Sequence, residues 1–198
     1  MNRKQTWLAL GLYIIAVSQL FAGPFGIEMG MSLEKLESMT GVAPKKDGDI
    51  YFITPPKTHP QFDLYVVRAS TKHGIYYIKA IGCDISTSSY GIELKQKFYN
   101  LEESIGKIYG KHSTYDYLLS GSIWTEPDDF MMGLIKKDRS LFAIWDTDSG
   151  STLTPDLESI AISAYPLSTN KGYLAVEYSF ANLEEAEKEL QEEMDSVF

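Results

Sequence analysis

Apolar residues recur along this 198-residue chain with two periods. Over 90–109, Leu94, Phe98, Leu101, Ile105 and Ile108 follow at spacings of 4, 3, 4 and 3. That predicts a long amphipathic helix with these five on its buried stripe, Glu102 on an exposed face and Gly110 as the stop. A second helix is expected over 183–197, with Asn182 as its cap and Leu183, Ala186, Leu190, Met194 and Val197 as its stripe. A third, shorter one is expected over 32–40 (SLEKLESMT), capped by Ser32 and ended by Gly41. Elsewhere β-branched and aromatic residues dominate. The segments 49–54, 62–70, 74–83, 141–146, 159–166 and 172–180 read as strands. In the last, Leu174, Val176, Tyr178 and Phe180 share one face, with Glu177 and Ser179 on the other. Residues 128–137 (DDFMMGLIKK) carry both signals. Acids first and lysines last suit a helix dipole, but Gly133 interrupts the middle and KDRS at 137–140 reads as a turn, so a β-hairpin is expected.

The order is helix, three strands, long helix, about four strands, helix. Sequential strands joined by tight turns predict an α+β fold: antiparallel β-meanders with helices packed on one face. Gly30-Met-Ser-Leu33 and Gly91-Ile-Glu-Leu94 open two of the helices alike, which suggests two tandem helix-plus-meander units.

The N-terminus stands outside this pattern. Arg3 and Lys4, the apolar run 7–16 and the small-residue end at 18–23 have the order of a secretory signal with Ala22 as the last residue removed. The run is short for a membrane span of about 20 residues. The expectation is a signal peptide over 1–22 and one domain over 23–198, periplasmic or secreted, with no membrane insertion after cleavage. Removal of 1–22 takes the net charge from −9 to −11, with 16 basic against 27 acidic residues. An acidic protein is repelled by phosphate backbones and anionic headgroups, so nucleic acid is not an expected partner. The single cysteine, Cys83, forms no internal disulfide and reads as a small buried hydrophobe at a strand end.

Residues 25–44 (FGIEMGMSLEKLESMTGVAP) resemble the opening of the small outer-membrane assembly lipoproteins of the SmpA/OmlA type, through Gly30, Met31, Ser32, Gly41 and Pro44. The beta-lactamase-inhibitor-protein-like fold has that unit in tandem. The chain departs from the lipoprotein pattern in having no cysteine after its apolar run. The resemblance implies an exported protein-binding scaffold and carries over no functional residue.

Candidate chemistry is sparse. Asp146-Thr-Asp-Ser-Gly150 has two aspartates of a calcium loop, but its glycine falls at position 5 rather than 6 and position 12 is Leu157. The same Asp-x-Asp resembles the nucleophile loop of haloacid-dehalogenase-like phosphatases, yet too little chain follows for their parallel domain. Ser104-x-x-Lys107 has the spacing of penicillin-recognising enzymes, inside a helix and without companion motifs. His59, His73 and His112 lie too far apart in the expected strands and turns to share a zinc. Glu126, Asp128 and Asp129 around Pro127 read as helix- or turn-start acids. No metal or cofactor is therefore expected. The best binding signal is aromatic: Trp124 in a loop, with Tyr115 and Tyr117 close before it, suited to anchoring a protein or stacking an extracellular ligand. The expected function is non-enzymatic binding in the cell envelope or extracellular space. The alternative is a carboxylate-dependent hydrolase acting on envelope or extracellular material, which requires Asp146, Asp148 and Glu126, or any two of them with a histidine, to converge in one pocket. An assembly factor would instead expose a large apolar patch.

Overall fold

The computed structural model describes residues 23–196. The signal-peptide expectation for 1–22 and the stripe position Val197 lie outside the described residues. One antiparallel sheet organises the chain. Its strands are β1 (Lys45–Asp47), β2 (Ile50–Ile53), β3 (Phe62–Ser70), β4 (Gly74–Gly82), β5 (Ile85–Ser86), β6 (Ser113–Leu118), β7 (Arg139–Trp145), β8 (Leu157–Ser168) and β9 (Lys171–Phe180). The helices are α1 (Leu33–Thr40), α2 (Ile92–Tyr109), α3 (Phe130–Ile135) and α4 (Leu183–Asp195). The strands run in the order β1-β2-β3-β4-β9-β8-β7-β6, with β5 pairing β9 to one side. Two four-strand meanders, β1–β4 and β6–β9, thus meet at the β4–β9 seam, and helices pack against the sheet. The α+β antiparallel expectation describes this architecture.

The alternation in β9 does what its sequence requires: Leu174, Val176, Tyr178 and Phe180 are buried, and Glu177 faces away from them. They meet Leu94, Phe98, Leu101 and Ile105 of α2 in the core. Ile108 is a correction, because it is 70% exposed and Tyr109 packs on the core in its place. The next buried position after Ile105 is four residues on, not three. Gly91 opens α2 at φ 66°, and a Cβ there would meet the Phe130 ring at 2.3 Å. Only glycine lets the helix start seat on that ring.

Residues 128–137 correct the hairpin expectation. They form a turn of 3-10 helix over Pro127–Asp129, then α3. Glu126 and Asp129 make a reciprocal capping box, and the apolar run goes inward with Phe130, Met131 and Leu134 buried. Gly133, which argued against a helix, has a packing reason: a Cβ there would sit 3.1 Å from the Arg139 Cβ of β7. In α4 the stripe is only partly buried. Ala186 is fully covered, Met194 is 56% exposed, and Glu189 is buried with its carboxylate accepting from the Lys72 N–H at 3.1 Å. Asn182 does not cap its own helix; its Nδ2 donates to the His73 carbonyl at 2.8 Å. Cys83 is exposed because β4 stops at Gly82, one residue before it.

Candidate functional site

β7 and β8 do not stay together. They pair from Trp145↔Ile160 to Phe142↔Ser163 and then part. Beyond that point β7 pairs only with β6, through Leu141, Ser140 and Arg139, and β8 only with β9, through residues 164–168. Continuing the register would set Arg139 opposite Pro166, which has no N–H for the ladder. The gap is a cleft of about 540 Å³. Leu134 and Ile135 of α3, with Leu141 and Ala164, make its apolar floor. Ser140, Phe142, Ser163, Tyr165 and Leu167 line its opposite mouth, and Lys137 and Arg139 line one end.

Phe142 and Tyr165 at that mouth are each stacked on a second ring behind them. Tyr115 and Phe142 are register partners on β6 and β7, stacked with centroids 4.8 Å apart and planes 20° apart. Tyr165 and Tyr173 are partners on β8 and β9, stacked at 5.1 Å and 15°. The Tyr165 hydroxyl is also held, donating to Glu177 Oε1 at 3.3 Å. Glu177 accepts Tyr77 Oη–H at 2.6 Å and the Lys79 ammonium at 2.9 Å. The Lys79–Glu177 pair sits directly across the β4–β9 seam. Burial alone would raise the Glu177 carboxyl, but hydrogen bonds from Tyr77 and Lys79 outweigh it and hold the group below its ordinary range. Burial likewise opposes the Lys79 charge, and Glu177 outweighs it, so the amine lies above its usual value. Burial first, then the bond to Glu177, pushes the Tyr77 phenol up, keeping it a donor.

The cleft's other end is braced by charge. Arg139 makes a bidentate pair with Asp116 at 2.7 and 2.8 Å. Its guanidinium lies 4.7 Å from the Phe130 ring centroid, and the Lys95 ammonium lies 4.4 Å from the same centroid. Burial, then repulsion by Arg139, lowers the Lys95 amine. Lys137 ends α3 in the left-handed region at φ 61° and has no ion-pair partner among the described residues.

Of the three residues singled out by sequence, Tyr115 joins this site through its stack on Phe142. Tyr117, 54% exposed, is two residues along the same strand and pairs with Ser140. Trp124 is not brought to them. It is half-buried in the loop before α3, its Cβ beside Gly133 and its N–H donating to Ser122 Oγ at 3.2 Å. Strand alternation puts Tyr115 and Tyr117 on the sheet face opposite Asp116, and hence opposite α3. Phe142, Tyr165, Glu177 and Lys137 were not singled out. Their residue types are ordinary for strands and turns, and only the pairing register brings them together.

The carboxylates of the hydrolase alternative are engaged locally. Asp146 Oδ1 accepts the Ser149 N–H at 2.7 Å within its turn, and Glu126 is in the capping box. Asp146, Asp148 and Glu126 line neither the β7–β8 cleft nor the clefts at Pro60–Ile85, at Asp49–Arg68 beside α4 or at Gly30–Glu34 beside Thr71. Among the described residues no group of three or more His, Cys, Asp or Glu side chains is placed to hold a metal. His112 bonds Glu102 Oε1 at 2.9 Å, beside Thr114 Oγ1 on the same oxygen, and its ring lies 4.5 Å from Trp145. Glu102 is therefore not the exposed residue its helical position suggested: its side chain is 12% exposed. Ser104 Oγ donates to the Asn100 carbonyl at 2.8 Å, a bond within the helix. No described helix is long and apolar enough to cross a membrane. No family model, curated protein or solved structure matches the chain.

Proposed function

We propose that the protein is an exported binding protein, periplasmic or secreted, that holds a protein or extracellular ligand in the β7–β8 cleft and does not transform it. One observation carries the reading: a cleft between β7 and β8 with an apolar floor and, at its mouth, Phe142 and Tyr165, each held by a stacked neighbour. Rigid aromatics provide contact area at low entropic cost, as binding surfaces require. The cleft's titratable side chains, Lys137, Arg139 and Tyr165, include no carboxylate or histidine to act as a base. The resemblance of residues 25–44 to outer-membrane assembly lipoproteins agrees with protein binding.

Export is tested by intact mass of the extracellular or periplasmic protein, expected to begin at Gly23. Binding is tested by placing a photoactivatable residue at Ser140, at the cleft, or at Lys188 on α4. Crosslinking to one defined partner is expected from position 140 and not from 188. Equal yields from the two positions would sink the reading.

A further inference from the structure

The ligand class follows from the backbone of the cleft, on the reading above that the cleft binds. We propose that it takes an extended peptide, added as a short strand between β7 and β8, with an apolar side chain on the floor and a carboxylate beside it meeting Lys137. Backbone N–H and C=O groups inside a fold are almost always paired, and an unpaired strand edge is a template for another strand. Here two such edges face one gap: three residues of β7, from Arg139 to Leu141, and residues 164–168 of β8. Three residues of strand cover about 10 Å, so the incoming segment would pair over about that length.

Strand alternation then fixes which chemistry meets which surface. One side chain of the peptide points to Leu134, Ile135 and Leu141, which accept an apolar group. Its neighbour points out between Phe142 and Tyr165. Charge selects further. The chain is −9 overall, yet the charged side chains that line the cleft, Lys137 and Arg139, are both basic. Arg139 is committed to Asp116, while Lys137, at one end of the cleft, has no ion-pair partner among the described residues. A carboxylate on the peptide is its complement. A saccharide stacked on the tyrosines would use the walls but not the two backbone edges, and would not read Lys137.

Random seven-residue peptides displayed on phage and panned on the purified protein test this. Enrichment of an apolar residue next to Asp or Glu is expected. The enriched peptide, made synthetically, should slow exchange at the gap-facing amides among residues 139–141 and among 164, 165 and 167, whose alternate N–H groups point away to β6 and β9. Lys137→Glu should weaken that peptide by about tenfold or more, and should reselect peptides carrying Lys or Arg in place of the acid. Its melting temperature should match the parent's, so that loss of binding is not loss of fold. Enrichment without acid preference, protection elsewhere, or equal binding by Lys137→Glu would overturn the proposal. So would failure to enrich any peptide. In that last case a non-peptide partner crosslinked from position 140 would leave the binding reading standing, and no crosslink would remove both.

Discussion

Each half of the sheet begins with a glycine in the left-handed region and a helix. Gly30 (φ 73°) precedes α1 and Gly91 (φ 66°) precedes α2, and four antiparallel strands follow in each case. The halves differ in their second strand. In the first half β2 has four residues, three of them paired with β3, and a tight turn at Gly48 joins it to β1. In the second half β7 has seven residues, four of them paired with β8, and α3 lies between β6 and β7 in sequence. The opening thus comes from β7–β8 pairing that stops at Phe142 and Ser163, with a helix beneath the gap. A closed meander becomes an open one where pairing of two strands stops short over an inserted helix, without any change in strand order.

The largest expected effect tests how far the halves differ in their supporting helix. Phe98 of α2 is fully buried, whereas Leu33 of α1 is half-buried. Phe98→Ala should cost about 3–5 kcal/mol, and Leu33→Ala about 1–2 kcal/mol. Equal denaturation midpoints for the two variants would contradict the comparison.

The seam that joins the halves comes next. Glu177→Gln should cost about 1–3 kcal/mol, by leaving the part-buried Lys79 without its carboxylate. Its sign with pH is fixed by the shifts. The lowered Glu177 carboxyl contributes stability above its unfolded value of about 4.3, lost as pH falls through the folded value. The raised Lys79 amine contributes stability fully present below about 10.4, lost as pH rises through its folded value. Urea melts should therefore show the largest gap between wild type and variant at neutral pH, narrowing at both extremes. A gap constant from pH 3 to 11 would mean the pair is not the cause.

Glu102→Ala should cost about 1–2 kcal/mol, because it releases His112 and Thr114 from α2. A midpoint indistinguishable from wild type would return Glu102 to the exposed face. Amide exchange sharpens the contrast between halves directly. Without ligand, Arg139 to Leu141 should exchange faster than Tyr65 to Val67, which are paired on both sides. The smallest effect is at Lys137. Relieving its left-handed backbone with Lys137→Gly should raise stability by about 1 kcal/mol or less, read as a higher melting temperature.

Most of the frame was legible in the sequence because it rests on periodicity. The β9 alternation and the 94–105 stripe each report a buried face locally. Residues 113–118 gave no apolar alternation, since Tyr115 and Tyr117 alternate with Thr114 and Asp116, and β6 was not foreseen. α3 was misjudged because five apolar residues broken only by a glycine show no period, and that glycine answers to Arg139, which is distant from any helix signal. The cleft was illegible for a different reason. It is defined by where pairing stops, and a pairing limit belongs to two strands at once. Ser163 and Phe142, where pairing stops, carry no signal of it in their own neighbourhoods.

The seam also sets an order of assembly. β4 finds its central neighbour in β9, so Tyr77 waits for Ser179, roughly a hundred residues later in the chain. During synthesis, the first meander is complete while one edge of β4 still lacks its partner. That edge carries Ile78 and Ala80, which end fully buried. Long-range closure of this kind is slow and leaves an adhesive intermediate. A chain stalled or cut before residue 171 would keep that edge bare, so this molecule's propensity to aggregate should rise steeply with loss of its last two elements.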